Sequence, residues 1–256
     1  MTGQTKHLKR PFIFKLRARE FGDPIEVMIG RLDGTGEQVS IDHRNPNSPP
    51  LVLVLGDAGS GKTVLAKIIA TQFSEVGVAG SYIDSKTKSP VSFGDKLNAD
   101  WRVNRLEESE LQTEEPPLLE VVRSEFNRLV EVGGGVLLID ESQELLGMSE
   151  GVELLRQITR TARNFGIMVV VLSQRASDFV GFLSHAHAFP SVVVALRTRG
   201  ELSELSELLG ECSDEDTRFL QSEWDFIAGS KGLIRDISGS VSRVVFGPLT
   251  DEFLSS

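Results

Sequence analysis

Residues 51–63 read LVLVLGDAGSGKT, five apolar residues that run into a glycine-rich turn closed by lysine and threonine. Gly56, Gly61, Lys62 and Thr63 fit the pattern G-x-x-x-x-G-K-[ST]. Glycines let such a turn fold closely around phosphate, with backbone N–H groups pointing inward. The lysine neutralises β/γ oxygens, and the threonine hydroxyl is a ligand for Mg2+. A helix beginning near Lys62 would add the positive end of its dipole. The segment Gly56, Asp57, Ala58, Gly59, Ser60, Gly61, Lys62, Thr63 and Val64 is therefore the expected ATP-binding loop.

A phosphate loop implies a second, acidic site. The stretch VLLIDES supplies it, because the apolar run Val136 to Ile139 delivers Asp140 and Glu141 to the carboxyl end of a strand. Ligands bind at that edge in open α/β sheets. Asp140 is expected to hold Mg2+ through a water, together with Thr63, and Glu141 to take the proton of the water that attacks the γ-phosphate. The run IMVVVLSQ ends in Gln174, whose amide has the reach to bond both the γ-phosphate and that water.

Outward from these motifs, SYID, GVLLID, GIMVVVLS and SVVVAL repeat the Val/Ile/Leu-rich character of LVLVL. Such continuous runs are the mark of strands buried on both faces of a parallel sheet. Helical periodicity separates most of them. Leu119, Val122, Phe126, Leu129 and Val130 form one apolar stripe, and Leu155, Ile158, Ala162 and Phe165 another. The alternation predicts a layered α/β fold with right-handed crossovers. Ahead of it, IEVMIGRLDGTGEQVSID reads as two strands joined at Asp33 to Gly36, and NPNSPP marks a boundary before the core. The expected division is a β-rich extension over residues 1–48 and an ATPase domain over 49–256. GLIRDISGSVSRVVFG predicts a hairpin about Ser238 to Ser240, whereas Lys86 to Pro117 gives only weak helical signals.

Composition narrows the class. The 256 residues are 40% hydrophobic and 25% charged, as in an ordinary soluble protein, and no apolar run has the length of a membrane span. The chain is therefore expected in the cytoplasm, or peripheral to the inner face of a membrane. One cysteine and four scattered histidines suggest neither a disulfide nor a metal cluster. The net charge of -10 is uneven: residues 1–20 hold six of the 27 Lys/Arg and one of the 37 acidic residues. An acidic body argues against broad, sequence-blind wrapping of DNA. The basic arm alternates Phe12, Phe14, Leu16 and Ala18 with Ile13, Lys15, Arg17 and Arg19, the period of a half-exposed strand, and is either a solvated strand face or an arm that touches nucleic acid, acidic lipid headgroups or a partner.

Arg156, Arg160 and Arg163 recur at helical spacing beside the second apolar stripe. They are either a solvated face, with Glu153 pairing Arg156, or a source of a finger that neutralises charge in a neighbour's site, Arg163 being the candidate. Arg197 and Arg199 are weaker candidates.

In their order, GRLDGTGEQVSID, LVLVLGDAGSGKT, SYID, LLIDESQELL, LRQITRTARNFGIMVVVLSQ and GLIRD resemble the FtsK/HerA-type ring ATPases, and within them the conjugative ATPases that energise type IV secretion. The resemblance covers about residues 28–250. It implies a RecA-like, mostly parallel sheet flanked by helices, with N-terminal β-strands and a C-terminal β-hairpin. It also implies ATP and Mg2+ as cofactors, self-association into a hexameric ring, and work on DNA or on a secretion or conjugation apparatus. By position, Lys62 and Thr63 resemble the phosphate and magnesium contacts, Asp140 and Glu141 the metal-site acid and base, Gln174 the γ-phosphate sensor, Asp84 a nearby acidic position and Arg163 the arginine ahead of the sensor strand. Conjugative ATPases also carry a large N-terminal domain, absent here, and a helical insertion before the Asp-Glu strand, short here. The chain thus reads as a compact relative, an excised motor domain or a different branch. A nucleotide-dependent switch with little turnover is the alternative function, but a switch has no need of a base such as Glu141. A small-molecule kinase would need an acceptor pocket or lid that the sequence does not display.

Overall fold

The computed structural model describes residues 25–43, 50–85, 91–106, 117–184, 191–198, 202–210, 212–222 and 230–246. The expected strand at Phe12 to Arg19, most of NPNSPP and Arg199 lie outside them.

The apolar runs form the centre of one sheet. β3 (Leu51–Leu55), β4 (Gly80–Asp84), β6 (Gly135–Asp140) and β7 (Ile167–Ser173) are buried at every position, and β8 (Ser191–Leu196) at all but Val192. Burial on both faces follows from side-chain alternation along each strand. Leu51, Leu53 and Leu55 face one layer of helices: α2 (Pro117–Glu131), α3 (Gln143–Gly147), α4 (Ser149–Ala162), α5 (Ala176–Ser184) and α6 (Leu202–Leu209). Val52 and Val54 face α1 (Lys62–Glu75) on the other side, where Phe73 is fully buried. A fully buried side chain of that size contributes about 1.5–3 kcal/mol.

β1 (Ile25–Leu32) and β2 (Gln38–His43) form the expected first hairpin. With β5 at Trp101–Arg105, β9 at Ser230–Arg235 and β10 at Val241–Phe246, the strand order among the described residues is β2-β1-β10-β9-β8-β3-β7-β6-β4-β5. The block from β8 to β5 is parallel throughout. β9 (Ser230–Arg235) and β10 (Val241–Phe246) form the expected second hairpin, which joins β8 to β1 through antiparallel pairs. Its turn is built by Asp236, whose Oδ1 accepts N–H bonds from Ser238 at 2.8 Å and Ser240 at 3.0 Å. The fold is α/β with a mostly parallel sheet between helical layers. A last helix, α7 (Asp214–Gln221), opens with a capping box between Ser213 and Asp216.

Between Lys86 and Pro117, where the sequence gives only weak helical signals, the described residues hold a 3-10 turn (Val91–Lys96) and an edge strand, β5 (Trp101–Arg105). Two expectations are corrected. Leu119 is only partly buried, because the stripe of α2 runs through Leu118, Val122, Phe126 and Leu129. Phe165 is 43% exposed, because α4 ends at Ala162 and a 3-10 turn (Arg163–Phe165) changes the helical phase.

Candidate functional site

Topology brings the motifs to one edge. β7 lies between β3 and β6, with Leu55 opposite Ser173, Val171 opposite Ile139, and Asp140 opposite Asp84. The carboxyl ends of four strands therefore converge where the chain delivers its polar residues.

The glycine-rich loop is pinned where it leaves β3. Gly56 N donates to Ser173 O at 3.2 Å and Asp57 N to Arg197 O at 2.8 Å, which ties it to the ends of β7 and β8. Thr198 Oγ1 adds a 3.2 Å bond to Asp57 Oδ1. Gly59 and Gly61 take φ of 74° and 94°, left-handed values that glycine adopts without a Cβ penalty. Ser60 N closes the turn onto Asp57 O at 3.1 Å. Lys62 is buried, and its Nζ donates to Gly56 O at 2.7 Å and Asp57 O at 3.0 Å, so the ammonium sits inside the curve of the loop. Ser60 Oγ is buried there and has no hydrogen-bond partner. A concave loop at a helix N-terminus, holding a buried ammonium and an orphan hydroxyl, fits an anionic oxygen ligand such as phosphate.

Asp140 stands next to that loop. It continues the face of Val136 and Leu138, the α1 side of β6, and is 1% exposed. Its Oδ2 accepts hydroxyl bonds from Thr63 at 2.8 Å and Tyr82 at 2.7 Å, and its Oδ1 accepts the Glu141 N–H at 2.9 Å. Burial raises the Asp140 carboxyl above its ordinary range; the Tyr82 and Thr63 hydrogen bonds pull it back, and the charge of Glu141 adds to the rise. Burial also pushes the Tyr82 phenol well up, with Asp140 beside it reinforcing the shift, so the phenol remains the donor. A threonine hydroxyl next to a carboxylate is a hard oxygen set of the kind Mg2+ prefers.

At the end of β6 Glu141 has φ 55°, the one positive value among described non-glycine residues. Such backbone is strained and needs support. Ser85 Oγ donates to Glu141 O at 2.8 Å, and Ser142 binds Leu172 O through its N at 2.9 Å and its Oγ at 2.8 Å. The turn carries the Glu141 carboxylate to Gln174, whose Nε2 donates to Oε2 at 2.7 Å, while Gln143 Nε2 donates to the same oxygen at 2.6 Å.

A glycine cradle, a buried lysine, a Thr63–Asp140 pair and a supported glutamate thus share one edge, and over residues 44–177 the sequence matches the AAA domain family. The chain belongs to that family of P-loop ATPases. No curated protein matches it. Among solved structures, this chain is similar to the cytoplasmic domain of the type VII secretion ATPase EccC of Thermomonospora curvata (TM-score 0.66, 20% identity), over 94% of this chain and 30% of that one. It is also similar to the pCW3 conjugation coupling protein TcpA (TM-score 0.63, 15% identity, 94% of this chain and 70% of that one). The third likeness is to B204, the DNA-packaging ATPase of Sulfolobus Turreted Icosahedral Virus (TM-score 0.54, 17% identity, 77% and 97%). The fold is the one that the FtsK/HerA resemblance implies.

The remaining sequence candidates separate. Asp84 is buried in register with Asp140. Arg197 is half-buried and its carbonyl holds the loop. Arg156 reaches Glu153 at 3.9 Å, the pairing named in one of its two readings, and the Phe182 carbonyl at 3.5 Å. Arg160 and Arg163 are exposed. Arg163 lies four residues ahead of Ile167, the first residue of β7, at the sheet edge opposite the loop, roughly 20 Å from its own site along a seven-residue strand.

Tyr82, Ser85, Gln143 and Thr198 escaped the sequence reading. Two signals were there: a single tyrosine inside the apolar run SYID, and a second glutamine two residues beyond Glu141.

Proposed function

We propose that this AAA domain hydrolyses Mg2+-bound ATP as one subunit of an oligomeric ring that moves DNA or drives secretion. The observation that carries the reading is the Glu141–Gln174 contact, formed beside Lys62, Thr63 and Asp140 at one sheet edge. Gly56 to Val64 wrap the phosphates, and Lys62 exchanges its two loop carbonyls for phosphate oxygens. Thr63 and Asp140 would hold Mg2+, and a cation held there would supply positive charge to the β- and γ-phosphates. Glu141 accepts the proton of the attacking water, and Gln174 orients Glu141 and that water. Arg163, remote from its own loop, serves a neighbouring subunit's site.

EccC is a type VII secretion ATPase, TcpA a conjugation coupling protein and B204 a DNA-packaging ATPase, and their shared fold supports a mechanical task here. Among the described residues no helix is long and apolar enough to cross a membrane.

Steady-state ATP hydrolysis by wild type and Glu141→Gln, across protein concentrations and with double- or single-stranded DNA, tests this. The expected result is turnover that rises with concentration, is stimulated by DNA and is abolished by the substitution. Hydrolysis that needs Glu141 and self-association but ignores DNA would select the secretion motor. Concentration-independent turnover by a monomer, or ATP binding without turnover, would reject the ring motor.

A further inference from the structure

Tyr82 sits opposite Leu138 in the β4–β6 pairing, two residues short of Asp140 and on the same α1-facing side. Its ring lies along that face and places Oη 2.7 Å from Asp140 Oδ2. The ring is 2% exposed and packs edge-on against Phe93 at 5.5 Å between centroids.

We propose that Tyr82 is the positioning residue of the divalent-cation site: its phenol holds the Asp140 carboxylate in the orientation that the cation needs. The inference rests on the reading of Thr63 and Asp140 as the metal pair. A carboxylate rotates easily about its last bond, so its direction must be set by its partners. Glu141 N–H fixes Oδ1, but it belongs to the adjoining residue and moves with the same strained turn. Thr63 reaches Oδ2 from the first turn of α1, with a hydroxyl that is itself a ligand for the cation in this reading. Tyr82 is the partner anchored in the interior of the sheet. A phenol suits the task because it donates a hydrogen bond without positive charge, and so does not repel the cation as lysine or arginine would. Partners of metal ligands typically carry 10–100-fold of the metal affinity.

The chain has a single tyrosine, so protein grown with 3-fluorotyrosine gives one 19F resonance, that of residue 82. In metal-free protein, Asp140→Asn is expected to move that resonance, since the phenol loses its charged acceptor. Mg2+ added to the otherwise wild-type labelled protein should move it saturably. Unlabelled Tyr82→Phe keeps the ring and its packing; the Mg2+ concentration for half-maximal ATP hydrolysis should rise about tenfold, and excess Mg2+ should recover the loss. An unchanged Mg2+ requirement in folded Tyr82→Phe, or a resonance indifferent to Asp140→Asn, overturns the proposal. Should Asp140→Asn leave the Mg2+ titration of the resonance unaltered, the metal-site reading itself fails. The 19F comparison stands even if Tyr82→Phe does not fold.

Discussion

Gln174 at the end of β7 donates a 2.7 Å hydrogen bond to Oε2 of Glu141 at the end of β6, joining two residues 33 positions apart in sequence. The contact depends on β7 lying beside β6, with Val171 paired to Ile139, so that the two strand ends emerge together. It gives Gln174 a use even before phosphate is considered, because the amide fixes the direction of the carboxylate that accepts the proton. Gln143 bonds the same oxygen from the other side of the turn.

Gln174→Ala should therefore lower kcat by about 100-fold, the scale of a positioned acid–base group, while changing the KM for ATP little. Steady-state kinetics at saturating Mg2+ check this. A variant that loses ATP affinity instead of turnover would mean that Gln174 serves binding alone.

Gly56 tests the shape of the loop. A Cβ there would lie 2.4 Å from Ser60 Oγ and 3.0 Å from Leu196 Cβ. Gly56→Ala should cost about 1–3 kcal/mol by overpacking and weaken ATP binding by about tenfold. Adding Ser60→Ala removes the nearest clashing atom and should return part of the stability. Melting curves and nucleotide titrations of the single and double variants decide it, and equal stability of the two would refute the steric argument.

The central sheet was legible because strands buried on both faces are continuous in hydrophobicity, and the loop and acid were legible because their residue types are tied to phosphate and metal chemistry. β5 was not, since Trp101–Arg105 reads WRVNR, an edge strand whose charged positions break the apolar run. Phe165 misled because periodicity does not announce a switch to 3-10 geometry. Tyr82 and Thr198 were missed for a different reason: their roles come from registers between strands distant in sequence, which no local spacing encodes.

Glu125 supplies a pH-dependent prediction away from the site. It is buried on α2 and bonded by Ser81 Oγ at 2.5 Å and Arg128 Nε at 2.8 Å, with Arg102 3.6 Å away. Burial alone would raise its carboxyl, but the Ser81 and Arg128 hydrogen bonds and the Arg128 charge outweigh it, and the net shift is downward. A lowered carboxyl stabilises the fold fully above the ordinary glutamate range, and that stability is lost as pH falls through the lowered value. Glu125→Gln should thus cost about 2 kcal/mol at pH 7 and progressively less in acid. Denaturant unfolding at several pH values measures it, and a penalty constant with pH would show that the charge is not involved.

Arg163 makes the case for a ring testable with two inactive proteins. It is exposed at the opposite sheet edge from Lys62, so within one subunit it does not reach the phosphates. In a head-to-tail ring one subunit's far face meets the next subunit's site, where an arginine supplied in trans is worth about 1,000-fold in turnover. Arg163→Ala should therefore bind ATP normally and hydrolyse it about 1,000-fold more slowly. Glu141→Gln should be inactive through its own site while keeping its arginine. When the two are mixed in equal amounts and allowed to exchange subunits, about a quarter of the interfaces pair an intact Glu141 with an intact Arg163. Activity should reappear on mixing, to roughly that fraction of wild type. A mixture no more active than its components would exclude Arg163 as the finger and leave the weaker candidates, Arg197 and Arg199, to be substituted in turn.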